Sequence, residues 1–136
     1  MSNASYSAKL AGQSVKLFSK RAKGDHFEAA ALDYLQRRGL KLVERNFNAR
    51  CGEIDLILTH GSTLVFVEVR YRKSQNFGHA AETVNPAKMR KLIKTANLWL
   101  MKHDHSVHDT DFRFDLVAIH NDGHDIEWIQ NAITQG

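Results

Sequence analysis

Two runs rich in β-branched and aromatic residues, 53–59 and 63–71, lie on either side of Gly61-Ser62, and this spacing constrains the fold more than any other feature of the chain. A two-residue connection with Gly at its first central position specifies a type II′ hairpin, whose twist matches that of the flanking strands. Counting outward from the turn puts Ile57 opposite Phe66, Asp55 opposite Glu68 and Glu53 opposite Arg70. Directly opposed side chains share one face, with Cβ atoms about 4.5–5.5 Å apart. Ile57 and Phe66 suit each other by packing, and Glu53 and Arg70 by charge. Asp55 and Glu68 repel, unless a cation lies between them. A hard divalent cation resolves the conflict, because it selects carboxylate and water oxygens and usually takes one or two carboxylates from the protein. The competing reading has both acids facing solvent or pairing with nearby arginines.

The remaining elements follow from periodicity and punctuation. Phe27, Ala30, Ala31, Tyr34 and Leu35 have helical spacing and Gly39 supplies a stop, so a helix is expected over 25–38. A strand is expected over 40–48. Asn85-Pro86 opens a second helix that runs to about residue 102, with Met89, Leu92, Ile93, Ala96, Trp99 and Leu100 as its apolar stripe. Residues 112–119 form a last clear strand, followed by a weak apolar stretch over 126–133. The order is helix, three strands, helix, strand: an α/β chain.

Length and composition bound the rest. A chain of 136 residues with 43% hydrophobic and 25% charged content is expected to form one domain over 24–136, preceded by a flexible basic arm over 1–23. No apolar run is long enough to span a bilayer and no secretory segment opens the chain, so a cytoplasmic protein without membrane contact is expected. The single cysteine, Cys51, excludes an intramolecular disulfide and reads as structural. Charge is segregated: residues 68–102 carry eight basic and two acidic side chains, whereas 103–136 carry one basic and seven acidic. A basic middle suits a polyanion, since neutralising phosphates releases condensed counterions. It equally suits a solvated helix face.

The motifs Gly52-Glu53-Ile54-Asp55-Leu56-Ile57 and Val65-Phe66-Val67-Glu68-Val69-Arg70-Tyr71-Arg72 resemble the signature of the YraN family of bacterial proteins. The resemblance runs from Gly24 through Arg113-Phe114-Asp115 to the region of Ala132. That family is similar to Holliday-junction resolvases of the restriction-endonuclease-like superfamily, which implies an αβββαβ core with a mixed sheet flanked by helices and a D…(E/D)xK metal site. On this resemblance Asp55 and Glu68 are metal-binding and catalytic acids, and Arg70 stands where the motif has lysine. Glu28 matches an acid that the resolvase-like branch contributes from its first helix. Asp25 and Glu28 also have the spacing of a capping box, and the two readings are compatible. Mg²⁺ or Mn²⁺ is the implied cofactor, and nucleic acid, DNA first, the implied partner.

Arg70 stays protonated at any relevant pH, so it cannot be a general base, but it can hold a phosphate and stabilise charge developing on it. Arg72, Lys73, Lys88 and Lys91 are phosphate-contact candidates. Lys88 is also a candidate to assist the attacking water, against a solvated-face alternative. The cluster of His103, Asp104, His105 and His108 matches no closed zinc motif and reads as a polar loop. Trp99 and Trp128 read as core, and Asp115 is not counted as a ligand.

The expectation is therefore a metal-dependent nuclease acting on DNA, including branched or structured DNA. Two alternatives stand beside it: a nucleic-acid-binding module with weak or lost catalysis, and a protein-interaction subunit. Resolution of a junction needs two active sites, so a homodimer is expected if the resolvase resemblance extends that far.

Overall fold

Apolar residues four apart build the first helix. Phe27, Ala31 and Leu35 are all buried on one stripe of α1 (Ala11–Arg37). A computed structural model describes residues 11–72, 86–106, 108–120 and 125–133. The helix ends as its sequence dictates: Gly39 takes φ +95°, Leu40 N–H donates to Leu35 C=O at 3.1 Å, and Gly39 N–H to Gln36 C=O at 3.0 Å. Those two bonds make a Schellman cap, with Leu35 and Leu40 in one apolar cluster as the motif favours.

The beginning of α1 departs from expectation. Residues 11–23, read from sequence as part of a flexible arm, are helical backbone continuous with the rest of α1. Apolar periodicity is absent there, so pattern carries no signal. Helix propagation nevertheless needs only good helix formers and no proline, once a packed segment has supplied the nucleus. The capping-box reading of Asp25 and Glu28 falls with this, because both lie inside the helix rather than at its start.

Three strands follow: β1 (Lys41–Ala49), β2 (Gly52–His60) and β3 (Thr63–Arg72). Then come α2 (Pro86–Lys102), β4 (Phe112–His120) and β5 (Asp125–Ile129). The weak apolar stretch near the C-terminus thus contributes a strand. The sheet order is β1-β2-β3-β4-β5, with β3 and β4 parallel and the other neighbours antiparallel. This is a mixed five-stranded sheet with a helix on each face. Leu56, Leu58, Val65, Val67, Val117 and Ile119 meet α1, whereas Ile57, Phe66 and Phe114 meet Leu92, Ala96, Trp99 and Leu100 of α2. Trp99 is core, as its place on the apolar stripe predicts, and its indole N–H donates to Glu44 at 2.9 Å. Trp128 is only partly buried and packs against the α1-side core. Among the described residues no helix is long and apolar enough to cross a membrane.

The hairpin register is the one that the turn specifies. Pairs run from His60↔Thr63 to Leu56↔Val67, and Gly61 at φ +65° supplies the positive φ that the first central position of a II′ turn requires.

Candidate functional site

The β2–β3 ladder stops where the acidic pair begins. Its last pair is Leu56↔Val67, while β3 continues against β4 as far as Arg72↔His120. In place of the next ladder contact, Val69 N–H donates to Asp55 Oδ2 at 2.8 Å. Alternation on β2 also breaks here: Ile54 packs on the α2 side and Leu56 on the α1 side, although residues two apart on a regular strand share a face. Asp55 is thus left at the boundary between the two layers. It lines two concavities, one of about 560 Å³ with Glu68, Lys88 and Lys91, and one of about 780 Å³ with Asp25, Glu28, Asn46 and Asn48.

Glu53 does not meet Arg70 across the hairpin as the extended register predicts. With the ladder ended, Arg70 turns to its neighbour on β3, and its Nε lies 3.3 Å from Glu68 Oε2, an ion pair without hydrogen-bond alignment. Lys88 Nζ reaches the same oxygen at 2.8 Å from the first turn of α2. The Lys88 side chain is 40% exposed, so part of it is solvated, but its charge is directed at Glu68. Two cations therefore converge on one carboxylate oxygen. Lys91 lines the same concavity one helical turn further on.

The seat of α2 depends on Gly52. A Cβ at this residue would lie 3.0 Å from Thr95 Oγ1 and 3.7 Å from Lys91 Cβ, and its φ of +155° is one that side-chain-bearing residues rarely adopt. Thr95 hydroxyl donates to Lys91 C=O at 2.7 Å and lies 3.4 Å from Cys51 Sγ, so half-buried Cys51 is part of this packing.

Asp55 is electrostatically unlike an ordinary surface acid. Burial pushes its carboxyl up to about 7, the negative charge of Glu68 adds to the rise, and the Val69 N–H bond opposes it. Glu28 and Glu53 raise it further. Glu28 is itself raised, first by burial and then by Asp25, against the lowering influence of Arg45, Asn46 and a hydrogen bond with Asp55. Near neutral pH, Asp55 is poised between its protonated and ionised forms.

Glu28, Asp55, Glu68, Arg70, Lys88 and Lys91 thus gather at one end of the sheet. Glu28 and Glu68 approach Asp55 from opposite sides. Arg72 lies at the end of β3 with its side chain outside the described residues, and Lys73 is outside them altogether. Among the described residues no three His, Cys, Asp or Glu side chains converge closely enough to hold a metal ion by themselves. This covers the histidine-rich loop, where the His103 ring stacks on Trp99 at 4.0 Å and its Nδ1 lies 2.9 Å from Trp99 C=O.

Residues 27–119 match the model of the uncharacterised protein family UPF0102. The chain belongs to that family. It is 60% identical over 120 residues to a UPF0102 protein of Vibrio vulnificus strain YJ016, which covers 88% of this chain and 98% of that one. A Vibrio campbellii relative is 57% identical with the same coverage, and one from Vibrio cholerae is 53% identical over 118 residues, 87% of this chain and 97% of that one. All six gathered residues fall inside the UPF0102 match.

One contributor to the site, Asn46, is absent from the sequence-level expectations. The β1–β2 register flanks it with Arg45↔Leu56 and Phe47↔Ile54, which sets it across from Asp55. Its only sequence signal is its residue type, since Asn tolerates the left-handed conformation better than most residues.

Proposed function

We propose that this UPF0102 protein is a cytoplasmic, metal-dependent nuclease that hydrolyses phosphodiesters of DNA, structured or branched DNA included, on a YraN-type, restriction-endonuclease-like framework. The observation that carries the reading is Asp55, a half-buried carboxyl among Glu68, Glu28 and Glu53, raised to about 7 first by burial and then by those charges, beside a wall formed by Lys88 and Lys91. Burial beside like charge costs the ionised form unless a cation offsets it. Concentrated cost of this kind marks functional sites more often than packing sites.

The donor set fits a hard cation. The atoms offered are carboxylate oxygens of Asp55, Glu28 and Glu68, the donor type that an ion taking one or two protein carboxylates and several waters selects. Asp55, with Glu28 on one side and Glu68 on the other, would hold Mg²⁺ or Mn²⁺. When bound, such an ion supplies Lewis acidity and lowers the pKa of its water. The chain's own residues do the rest. Lys88 and Arg70 orient Glu68 and present positive charge toward a phosphate, Lys91 extends that charge along α2, and the Val69 N–H fixes one Asp55 oxygen. Cleavage of a four-way junction would need two such sites and hence a homodimer.

A second reading, binding of nucleic acid without cleavage, is favoured by the two cations already engaged on Glu68 Oε2. Labelled linear, nicked, flapped and four-way DNA incubated with Mg²⁺ or Mn²⁺ separates the two. Cleavage that disappears in Asp55→Asn supports the nuclease. Salt-sensitive binding with no cleavage by folded wild-type protein selects the binding module, and neither activity sinks both.

A further inference from the structure

Asn46 has φ +54° within β1, where a strand residue is ordinarily extended. A left-handed residue inside a strand interrupts the pleat and redirects its side chain, and asparagine is among the residues with a Cβ that adopt this conformation most readily. Here the kink is pinned by Asn48, whose Nδ2 donates to Asn46 C=O at 2.9 Å. Turned so that its nitrogen faces the acid, the Asn46 amide donates to both oxygens of Glu28, at 3.0 and 3.2 Å.

Glu28 comes from a different element, α1, and needs such a partner. Its helix neighbour Asp25 repels it, and the Asp55 carboxyl lies within hydrogen-bond reach. The helix itself is anchored one residue away, where the Phe27 ring stacks on Tyr71 at 4.2 Å. That contact brings the backbone of α1 to the site but leaves the Glu28 side chain free to rotate toward water. A neutral amide is the donor best suited to fix it. It orients the carboxylate without cancelling the charge, as an arginine or lysine would.

We propose that Asn46 is a positioning residue of the site, holding the Glu28 carboxylate beside Asp55 from a left-handed kink in β1. The inference rests on the reading of Glu28 and Asp55 as cation-binding acids, and it assigns to β1 a part in that site. Asn46 acts on Glu28 rather than on a bound ion, in the manner of the outer partners that orient metal-ligating side chains.

Two measurements on the full chain test it. In metal-free protein, NMR of the Asn46 side-chain amide should show shifted, slowly exchanging protons that return to solvent-like values in Glu28→Ala. Amide signals that are already solvent-like, or that ignore Glu28→Ala, overturn the proposal whether or not metal binds. In the second, Asn46→Gly keeps the unusual φ accessible while removing the amide. This variant, with a folded amide spectrum, should bind Mn²⁺ about tenfold to a hundredfold more weakly than wild type, the range typical for loss of an outer partner. Wild-type affinity in Asn46→Gly overturns the positioning role. Absence of Mn²⁺ binding by wild-type protein overturns the cation reading of the site instead, and the amide coupling then decides alone whether Asn46 holds Glu28.

Discussion

Asp115 and Asp55 sit on the same sheet, one buried and the other half-buried, and their surroundings are opposite. The Asp115 side chain is fully buried, yet each oxygen is satisfied. Arg113 Nε donates to Oδ1 at 2.9 Å, Trp128 Nε1 to Oδ2 at 2.9 Å, and Asn131 N–H to Oδ1 at 2.8 Å. Those bonds tie β5 and the segment after it to β4. Asp55 has one backbone donor and faces Glu68, Glu28 and Glu53. A buried acid surrounded by donors fastens structure, whereas an acid surrounded by acids has its ionised form disfavoured. The pair teaches that the sign of a carboxylate's neighbours, and not its burial alone, decides whether its charge is welcome.

Removal of the Asp115 carboxylate should have the largest effect. Asp115→Ala leaves the partly buried Arg113 without its counter-charge and the Trp128 and Asn131 donors without their acceptor, and breaking such a network costs up to roughly 3–5 kcal/mol. Urea unfolding should show a loss of that size, and a loss below about 1 kcal/mol would remove the contrast.

Asp55→Asn should act in the other direction, with a pH dependence that follows from the shift. The folded-state carboxyl is raised from 3.8 to about 7, so the folded protein binds the proton more tightly than the unfolded chain. Its stability contribution is fully present below the unfolded value and is lost as pH rises through about 7. Asp55→Asn removes this loss. The variant should be more stable than wild type by on the order of 3 kcal/mol near pH 8, with the difference shrinking toward zero near pH 4. Mn²⁺ should narrow the gap at high pH by stabilising wild type alone, and an Asn variant that is less stable at every pH would contradict the electrostatic account.

Gly52→Ala probes the seat of α2, which brings Lys88 and Lys91 to the acids. With Thr95 Oγ1 3.0 Å from the added Cβ and a φ of +155°, a cost of about 1–2 kcal/mol is expected, together with weaker DNA binding. Unchanged thermal stability would show that the approach is not constrained.

Smaller effects should come from the basic wall. Lys88→Ala and Lys91→Ala should each lower the slope of log affinity against log salt by about one if each side chain contacts one phosphate. Arg70→Lys is the mildest change. Lys88 already delivers an ammonium to Glu68, so this substitution should leave metal-dependent cleavage unimproved and weaken binding only where the planar guanidinium grips phosphate. A rise in cleavage would show instead that Arg70 itself limits the reaction.

Much of this arrangement is legible in the chain before any folding is considered. Gly61-Ser62 specifies the turn, and the turn specifies the register, so His60↔Thr63 through Leu56↔Val67 follow from local geometry. Gly39 ends α1, Pro86 begins α2, and the apolar period of α2 identifies its buried stripe, because each depends on a few residues in sequence. The same register marks Asp55 and Glu68 as a conflict. It does not say how the conflict is met. That the ladder stops at Leu56 and Val67, that Val69 turns its N–H to Asp55, and that Arg70 pairs with Glu68 rather than Glu53 are consequences of β2 parting from β3 while β3 stays paired with β4. Lys88 and Asn46 reach the site from α2 and β1, and Glu28 from α1, so their meeting depends on where distant elements pack. The helical backbone of residues 11–23 was likewise invisible to pattern, since a helix can propagate through residues without apolar periodicity. Local geometry determined the turn, the end of α1, the start of α2 and the acidic pair. Only the tertiary structure decided which charges surround each carboxylate, because that depends on contacts between residues far apart in the chain.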